Sequence, residues 1–384
     1  SKASEYGIPV ITIPATTPDN YLVSTDSFDT VSIKQYLQGG GRANYRSMLN
    51  YVRKYIDGKK LFIGEITDPK QAPSGMFYHQ DLKNTDNEML YFDSLSEYRQ
   101  FLQDNNLLKD NSPNIILTGQ MGVPDELIAE LEATGNVVYP ISNIQQAIKN
   151  GITDSISPSA LINMAHGRMG DAVVEYLKTK NIPLFSPLNV NRDYDEWMED
   201  KMGMNGGFMS QSVVTPEIDG AIRPWTLFAQ FEGSDGVPVI KAIPERLTEF
   251  VETVNNYVSL RKKANGEKKV AIFFFKGPGQ NSLVAEGMEV APSLYNMLNR
   301  FKEEGYKVEN LPSSPAEFEK LINDRGRVFG NYAIGAMSDF VNNANPEIIT
   351  RSEYEKWVAK DLGKEMSEEI TAVDGEFPGH GLMT

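Results

Sequence analysis

The chain has 384 residues, with 37 Lys and Arg against 52 Asp and Glu, a formal net charge of −15, 3 His and no Cys. The acidic balance argues against nucleic acid or anionic membrane as a partner, because phosphate binding needs a basic face. Without Cys there are no disulfides, thiolate metal sites or Cys nucleophiles, and His79, His166 and His380 are too few for a multi-His metal site.

Hydrophobic content of 40% with 23% charged residues is that of a soluble globular protein, and the length predicts two or three units. No apolar run approaches the roughly 18 residues of a membrane span. No signal peptide opens the chain, and Ser1-Lys2-Ala3-Ser4-Glu5 reads as a cut inside a longer protein.

An extended segment, Pro9 to Pro14, comes first, then a helix from about Asn44 to Ile56 with Leu49, Val52 and Ile56 at helical spacing. Strands are predicted at 60–65, 114–118, 136–140, 160–164 and 183–185, with helices over 95–102, 124–132 and 171–178 between them. Short apolar strands alternating with amphipathic helices imply a parallel sheet covered on both faces, with ligands at the carboxyl ends of its strands. Glu245 to Leu260 is a long helix with Leu247, Phe250, Val251, Val254 and Val258 on one face. A strand at 270–275, a helix over 291–301, a strand at 305–308 and a helix over 317–322 make a second unit. The expected fold class is therefore α/β, with at least two parallel-sheet units and flanking helices, the second unit incomplete. The division is 1–59 as an extended and helical segment, 60–243 as a flavodoxin-like domain, 244–265 as a linking helix and 266–384 as a truncated unit.

Three places carry residues suited to chemistry. In the first, a β-prone run, Ser212-Val213-Val214, leads to Glu217 and Asp219 in a turn closed by Gly220, and a strand-like run, 225–230, leaves it. Carboxylates at i and i+2 on extended chain point the same way, which suits a metal ion or a proton acceptor. The plainer reading is an Asp-Gly turn that happens to carry a Glu. In the second, His166 and Arg168 follow the 160–164 strand, ahead of a Met- and Gly-rich stretch, Met198 to Met209, that reads as a mobile lid. There His166 is either an axial ligand or a histidine at a helix start. In the third, Lys276 to Asn281 follows the 270–275 strand, but it lacks the order of a nucleotide-binding loop.

Pro216-Glu217-Ile218-Asp219-Gly220 resembles the Pro-Glu-x-Asp-Gly segment of the large chelatase subunits, the family of CobN and the H-type subunit of magnesium chelatase. Pro244-Glu245-Arg246-Leu247, with Val258 to Phe274 after it, is similar to that family's "PxR…WxxLRRKPNxEKRVAIxxF". Gly40-Gly41-Arg42-Ala43-Asn44 is similar to its GGxxN. These matches keep their order and cover most of 35–310. Asp193 to Trp197 also matches the family's SxxEW, a helix start with a buried Trp. His380, in Pro378-Gly379-His380-Gly381, falls where the family has a turn and reads as structural.

The resemblance implies the middle part of a large chelatase subunit, acting on a tetrapyrrole and a divalent metal, by insertion of cobalt or magnesium or by reverse chelation of haem iron. ATP is then used only by partner subunits of the AAA+ and integrin-I type, with no cofactor required in this stretch. It implies Glu217 and Asp219 as catalytic, with Glu217 handling the metal or the two pyrrole protons a porphyrin loses. His166, Arg168, Met204 and Asn281 become tetrapyrrole contacts. Around 276–290 the chain keeps Asn281, Ala285 and Val290, has Glu289 for the family's acid, and puts Leu283 where a Gly is expected. These departures fit a divergent, haem-uptake-associated member that removes iron; the compartment stays open, with the cytoplasm as the family default and the cell envelope as the alternative for a haem-uptake-associated member. The competing reading is a non-catalytic α/β scaffold that binds a tetrapyrrole or another small ligand. A chelatase brings these residues to one cleft, whereas a scaffold scatters them.

Overall fold

The computed structural model describes residues 2–12, 23–71, 74–85, 89–119, 124–234, 236–272, 284–285 and 288–325, with isolated positions at 342, 352–353 and 356. The chain packs as two units, Ser1–Arg261 and Lys262–Thr384.

The first unit is built on an eight-stranded sheet. Its strands are β1 (Phe77–Lys83), β2 (Met89–Phe92), β3 (Asn114–Thr118), β4 (Val137–Ile141), β5 (Ala160–Asn163), β6 (Leu184–Asp193), β7 (Ala221–Glu232) and β8 (Pro238–Ala242), in spatial order 2-1-4-3-5-6-7-8. The central strands 4-3-5-6-7 are parallel, and β1, β2 and β8 add antiparallel edges. Side chains alternate between two cores. Ile115 and Leu117 face one, with Leu127, Ile128 and Leu131 of helix Asp125–Ala133 and Phe250, Val251, Val254 and Val258 of helix Pro244–Lys262. Ile116 faces the other, with Tyr98 and Leu102 of helix Leu95–Asp104 and Val173 and Leu177 of helix Asp171–Lys180. This period-two split explains why β3, β4 and β5 are continuous apolar runs, as strands buried on both faces must be.

Differences from the expected elements have local causes. β1 reads Phe-Tyr-His-Gln-Asp-Leu-Lys, and only its first three residues are buried, so half of its apolar signal is missing. Within it, His79 is fully buried: its Nε2 donates to Glu132 at 3.0 Å, and its Nδ1 accepts the Asp81 N–H at 3.2 Å. The predicted strand at 60–65 is instead irregular chain, clamped by side chains. Helix Gly41–Tyr51 lays a polar row along it. Asn44 donates from Nδ2 to Lys70 O at 2.7 Å and accepts the Lys70 N–H at 3.0 Å. Ser47 and Thr67 hydroxyls meet at 2.9 Å, and Asn50 accepts the Gly64 N–H at 3.2 Å and donates to Glu65 O at 3.1 Å. Gly40 and Gly41, at φ 62 and 80°, make the turn that starts this helix, and the Asn44 amide also donates to Gly40 O at 2.7 Å. The sequence Gly-Gly-x-x-Asn is thus a turn and the first rung of a clamp.

In the second unit, helices Val290–Glu303 and Pro315–Arg325 pack together, with the Tyr295 and Phe318 rings 6.0 Å apart. Among the described residues the strands here are a short antiparallel pair, Val284–Ala285 with Met288–Glu289. Residues 270–272 and 305–308 are not strands, and 273–275 lie outside the described residues.

Asn44→Ala removes three hydrogen bonds from a residue 5% exposed and leaves the Lys70 amide group without its partner. The expected cost is about 1–3 kcal/mol, read as a lower thermal midpoint together with new protease cleavage in 60–71. An unchanged midpoint and cleavage pattern would show that the clamp holds nothing.

Candidate functional site

Helix Asp125–Ala133 leaves β3 for one face of the sheet and helix Asp171–Lys180 leaves β5 for the other, although β3 and β5 are neighbours. Such a switch point opens a crevice beyond the strand ends. The two loops meet there closely. Gly119, at φ 71°, follows β3, and a Cβ on it would run into Asn163 Oδ1 and come within 2.6 Å of the Ala165 N. Asn163 Oδ1 in turn accepts the Ala165 N–H at 3.2 Å and fixes the start of the loop that carries His166 and Arg168.

That loop is held from the segment preceding β7. Asp219 is 4% exposed and accepts hydrogen bonds from the Arg168 guanidinium and, at 2.5 Å, from the Met169 N–H. Gly167 N–H donates to Gln211 O at 3.2 Å, His166 Nδ1 lies 3.1 Å from Ser212 Oγ, and the His166 ring meets Phe208 edge-on at 5.7 Å. His166 is half-buried, and Arg168 keeps 43% of its side chain exposed.

The geometry around Glu217 differs from the expected strand and turn. Residues 206–218 form a continuous helical run that includes a π-helical turn at Ser210–Val214 and ends in Thr215–Ile218. Side chains two apart on a helix do not face each other. Asp219, which caps this helix, is buried against the 165–170 loop, and the Glu217 side chain is exposed with no hydrogen-bond partner among the described residues. The two carboxylates therefore do not share one place. Nor do the described residues gather three His, Cys, Asp or Glu into a metal-binding group.

Beside Phe208 lies a cavity of about 260 Å³, lined by Val190, Asn191 and Arg192 of β6 and by Trp197, Gly203, Met204, Asn205 and Phe208. The hydrogen bond from the Arg192 guanidinium holds the Asp200 carboxyl below the usual carboxylate range, and the Met202 N–H adds to it. Trp197, expected to be buried, is half-buried and stacks its face 5.6 Å from the Arg246 guanidinium. The structure thus brings His166, Arg168 and Asp219 together and places Met204 in the neighbouring cavity. Asn281 and His380 lie outside the described residues. Sequence reasoning missed Arg192 and Asn191; a lone Arg-Asn pair late in a strand carries no motif.

Residues 34–384 match the family described as CobN/Magnesium Chelatase. An uncharacterized protein of Methanocaldococcus jannaschii is 23% identical over 97% of this chain and 32% of its own length. The chloroplastic magnesium-chelatase subunit ChlH of Oryza sativa is 27% identical over 62% of this chain and 20% of its own. The catalytic subunit of cobaltochelatase from Mycobacterium tuberculosis has the same fold, with a TM-score of 0.61 at 18% identity over 98% of this chain and 31% of that one. The chain spans about a third or less of the length of these relatives. A match that runs from Lys34 to the last residue, on a shared fold, makes this chain a member of the CobN/magnesium chelatase family.

Proposed function

We propose that the chain is a portion of a large chelatase subunit and that the crevice between the loops after β3 and β5 receives a tetrapyrrole for exchange of a divalent metal. The observation that carries this is the buried Asp219, which fixes the His166–Arg168 loop against the helical run bearing an exposed, unpartnered Glu217. Metal entry expels two pyrrole N–H protons, and metal removal returns them. Glu217 is the proton acceptor and donor in this scheme, because a carboxylate in contact with water can pass each proton on. Its oxygens are also ligands that a hard or borderline divalent substrate ion accepts in transit. Asp219 is already committed to Arg168 and the Met169 N–H, so it is a positioning residue. Arg168, His166 and Met204 contact the macrocycle, and Asn281 is a further contact in this scheme.

In this reading ATP is hydrolysed on AAA+ and integrin-I-type partner subunits, which supply the energy for metal exchange. Metal insertion and removal of iron from haem are both open to the same residues, since proton transfer is reversible. No helix among the described residues is long and apolar enough to cross a membrane.

Two substitutions separate the roles. Glu217→Gln in the full-length protein, assayed with its partners by the shift of the tetrapyrrole Soret band, is expected to slow turnover about 10²–10⁴-fold at an unchanged thermal midpoint. A wild-type rate in the folded variant removes Glu217 from the mechanism. Asp219→Asn is expected to lower stability by about 1–3 kcal/mol and to weaken tetrapyrrole binding along with turnover. A loss of turnover with binding and melting intact would instead make Asp219 a direct participant.

A further inference from the structure

The cavity beside Phe208 has features of a built subsite of which the proposed chemistry uses only Met204. Its floor is the carboxyl end of β6, where the pairing with β7 slips twice, between Leu188 and Asn189 and between Asn189 and Asp193. Such irregularities re-aim side chains and concentrate next to functional sites. Asn191 sits within the second slip at φ 50°, a left-handed conformation that costs a non-glycine residue energy and persists where the surroundings enforce it. Its Oδ1 accepts a hydrogen bond from Gln230 Nε2 at 3.1 Å, so the amide is oriented with its N–H groups as donors to spare. Arg192 gives one Nη to Asp200 at 2.5 Å and keeps its other donors. The Oδ1 of Asn205 is likewise taken by the Phe208 N–H at 2.9 Å, which leaves its amide N–H groups. Three oriented donor groups thus surround one cavity whose other walls are Trp197, Met204 and Phe208.

The N–H groups left over after these bonds match an acceptor group, and the planar Arg fork, with one Nη on Asp200, has its other donors for a second carboxylate. Aromatic and thioether walls call for a flat apolar ring. At about 260 Å³ the cavity is smaller than the pockets that swallow whole drug-sized ligands, so it takes an edge of a larger molecule. We propose that this cavity, led by Arg192, grips an acid-bearing pyrrole edge of the tetrapyrrole through its peripheral carboxylate. The proposal rests on the tetrapyrrole reading above and adds which part of the substrate is recognised. His166 touches Phe208, so an edge seated here lies next to the crevice that holds Arg168 and Asp219.

The test titrates the protein, and its Arg192→Gln and Arg192→Lys variants, with deuteroporphyrin, with deuteroporphyrin dimethyl ester and with indole-3-carboxylate, following tryptophan fluorescence. Thermal midpoints are measured alongside; Arg192 is 43% exposed, so they should not move. The expected result is a roughly tenfold rise in the deuteroporphyrin Kd for Arg192→Gln, with Arg192→Lys between the two. The ester should bind the wild type and Arg192→Gln alike, and indole-3-carboxylate should bind the wild type and not Arg192→Gln. Equal deuteroporphyrin affinity in the wild type and Arg192→Gln overturns the carboxylate grip and leaves the tetrapyrrole reading standing. Arg192-dependent binding of indole-3-carboxylate without any porphyrin binding keeps the carboxylate pocket but overturns both its assignment to a pyrrole edge and the tetrapyrrole reading. Binding of neither class of probe overturns both.

Discussion

A parallel strand with water on one side loses the cover that its crossover connections supply, and the first unit is arranged around that constraint. Five parallel strands need helices on both faces, and the chain provides them from Leu95–Asp104 and Asp171–Lys180 on one side and Asp125–Ala133 and Pro244–Lys262 on the other. Where consecutive connections part to opposite faces, between β3 and β5, the sheet cannot close its own end. The loops that meet there are pressed so tightly that Gly119 has no room for a side chain. The crevice is therefore a by-product of covering the sheet.

Asp219 and Glu217 share a motif but not an environment. One is buried and hydrogen-bonded to a guanidinium and a backbone amide; the other is bathed in solvent two residues earlier. The helical run that ends between them turns two acids of one motif into a strut and a free group. Burying a carboxylate without partners is costly, which is why the strut comes with both of its own.

Much of the fold is legible in the residues. β3, β4 and β5 announce themselves because burial on both faces makes them continuous apolar runs, and helix Pro244–Lys262 shows its apolar face at the helical period. β1 is diluted by polar residues, and β2 and β8 are edge strands of four and five residues, too short to show a period, so the sequence does not reveal them. The run Ser212-Val213-Val214 has strand-forming residues yet is helical, because it is packed between Phe208 and Pro216 inside one longer helical run and only Ser212 is buried. The site residues are legible through resemblance alone. No spacing rule joins Arg168 to Asp219 across 51 positions, and only the fold does so.

The side-chain clamp of helix Gly41–Tyr51 on residues 64–70 has a consequence of commensurability. Asn44, Ser47 and Asn50 advance three residues per rung, about 4.5 Å along a helix axis, and their partners Lys70, Thr67 and Gly64 recede by three. Three residues of a fully stretched chain cover about 10 Å. The two rulers disagree by more than a factor of two, so the clamped segment has to take up the excess length in bends. It cannot be a strand while the clamp holds, whatever its residues prefer, and a fourth rung would demand a further loop of slack. A clamp of this kind sets its own length.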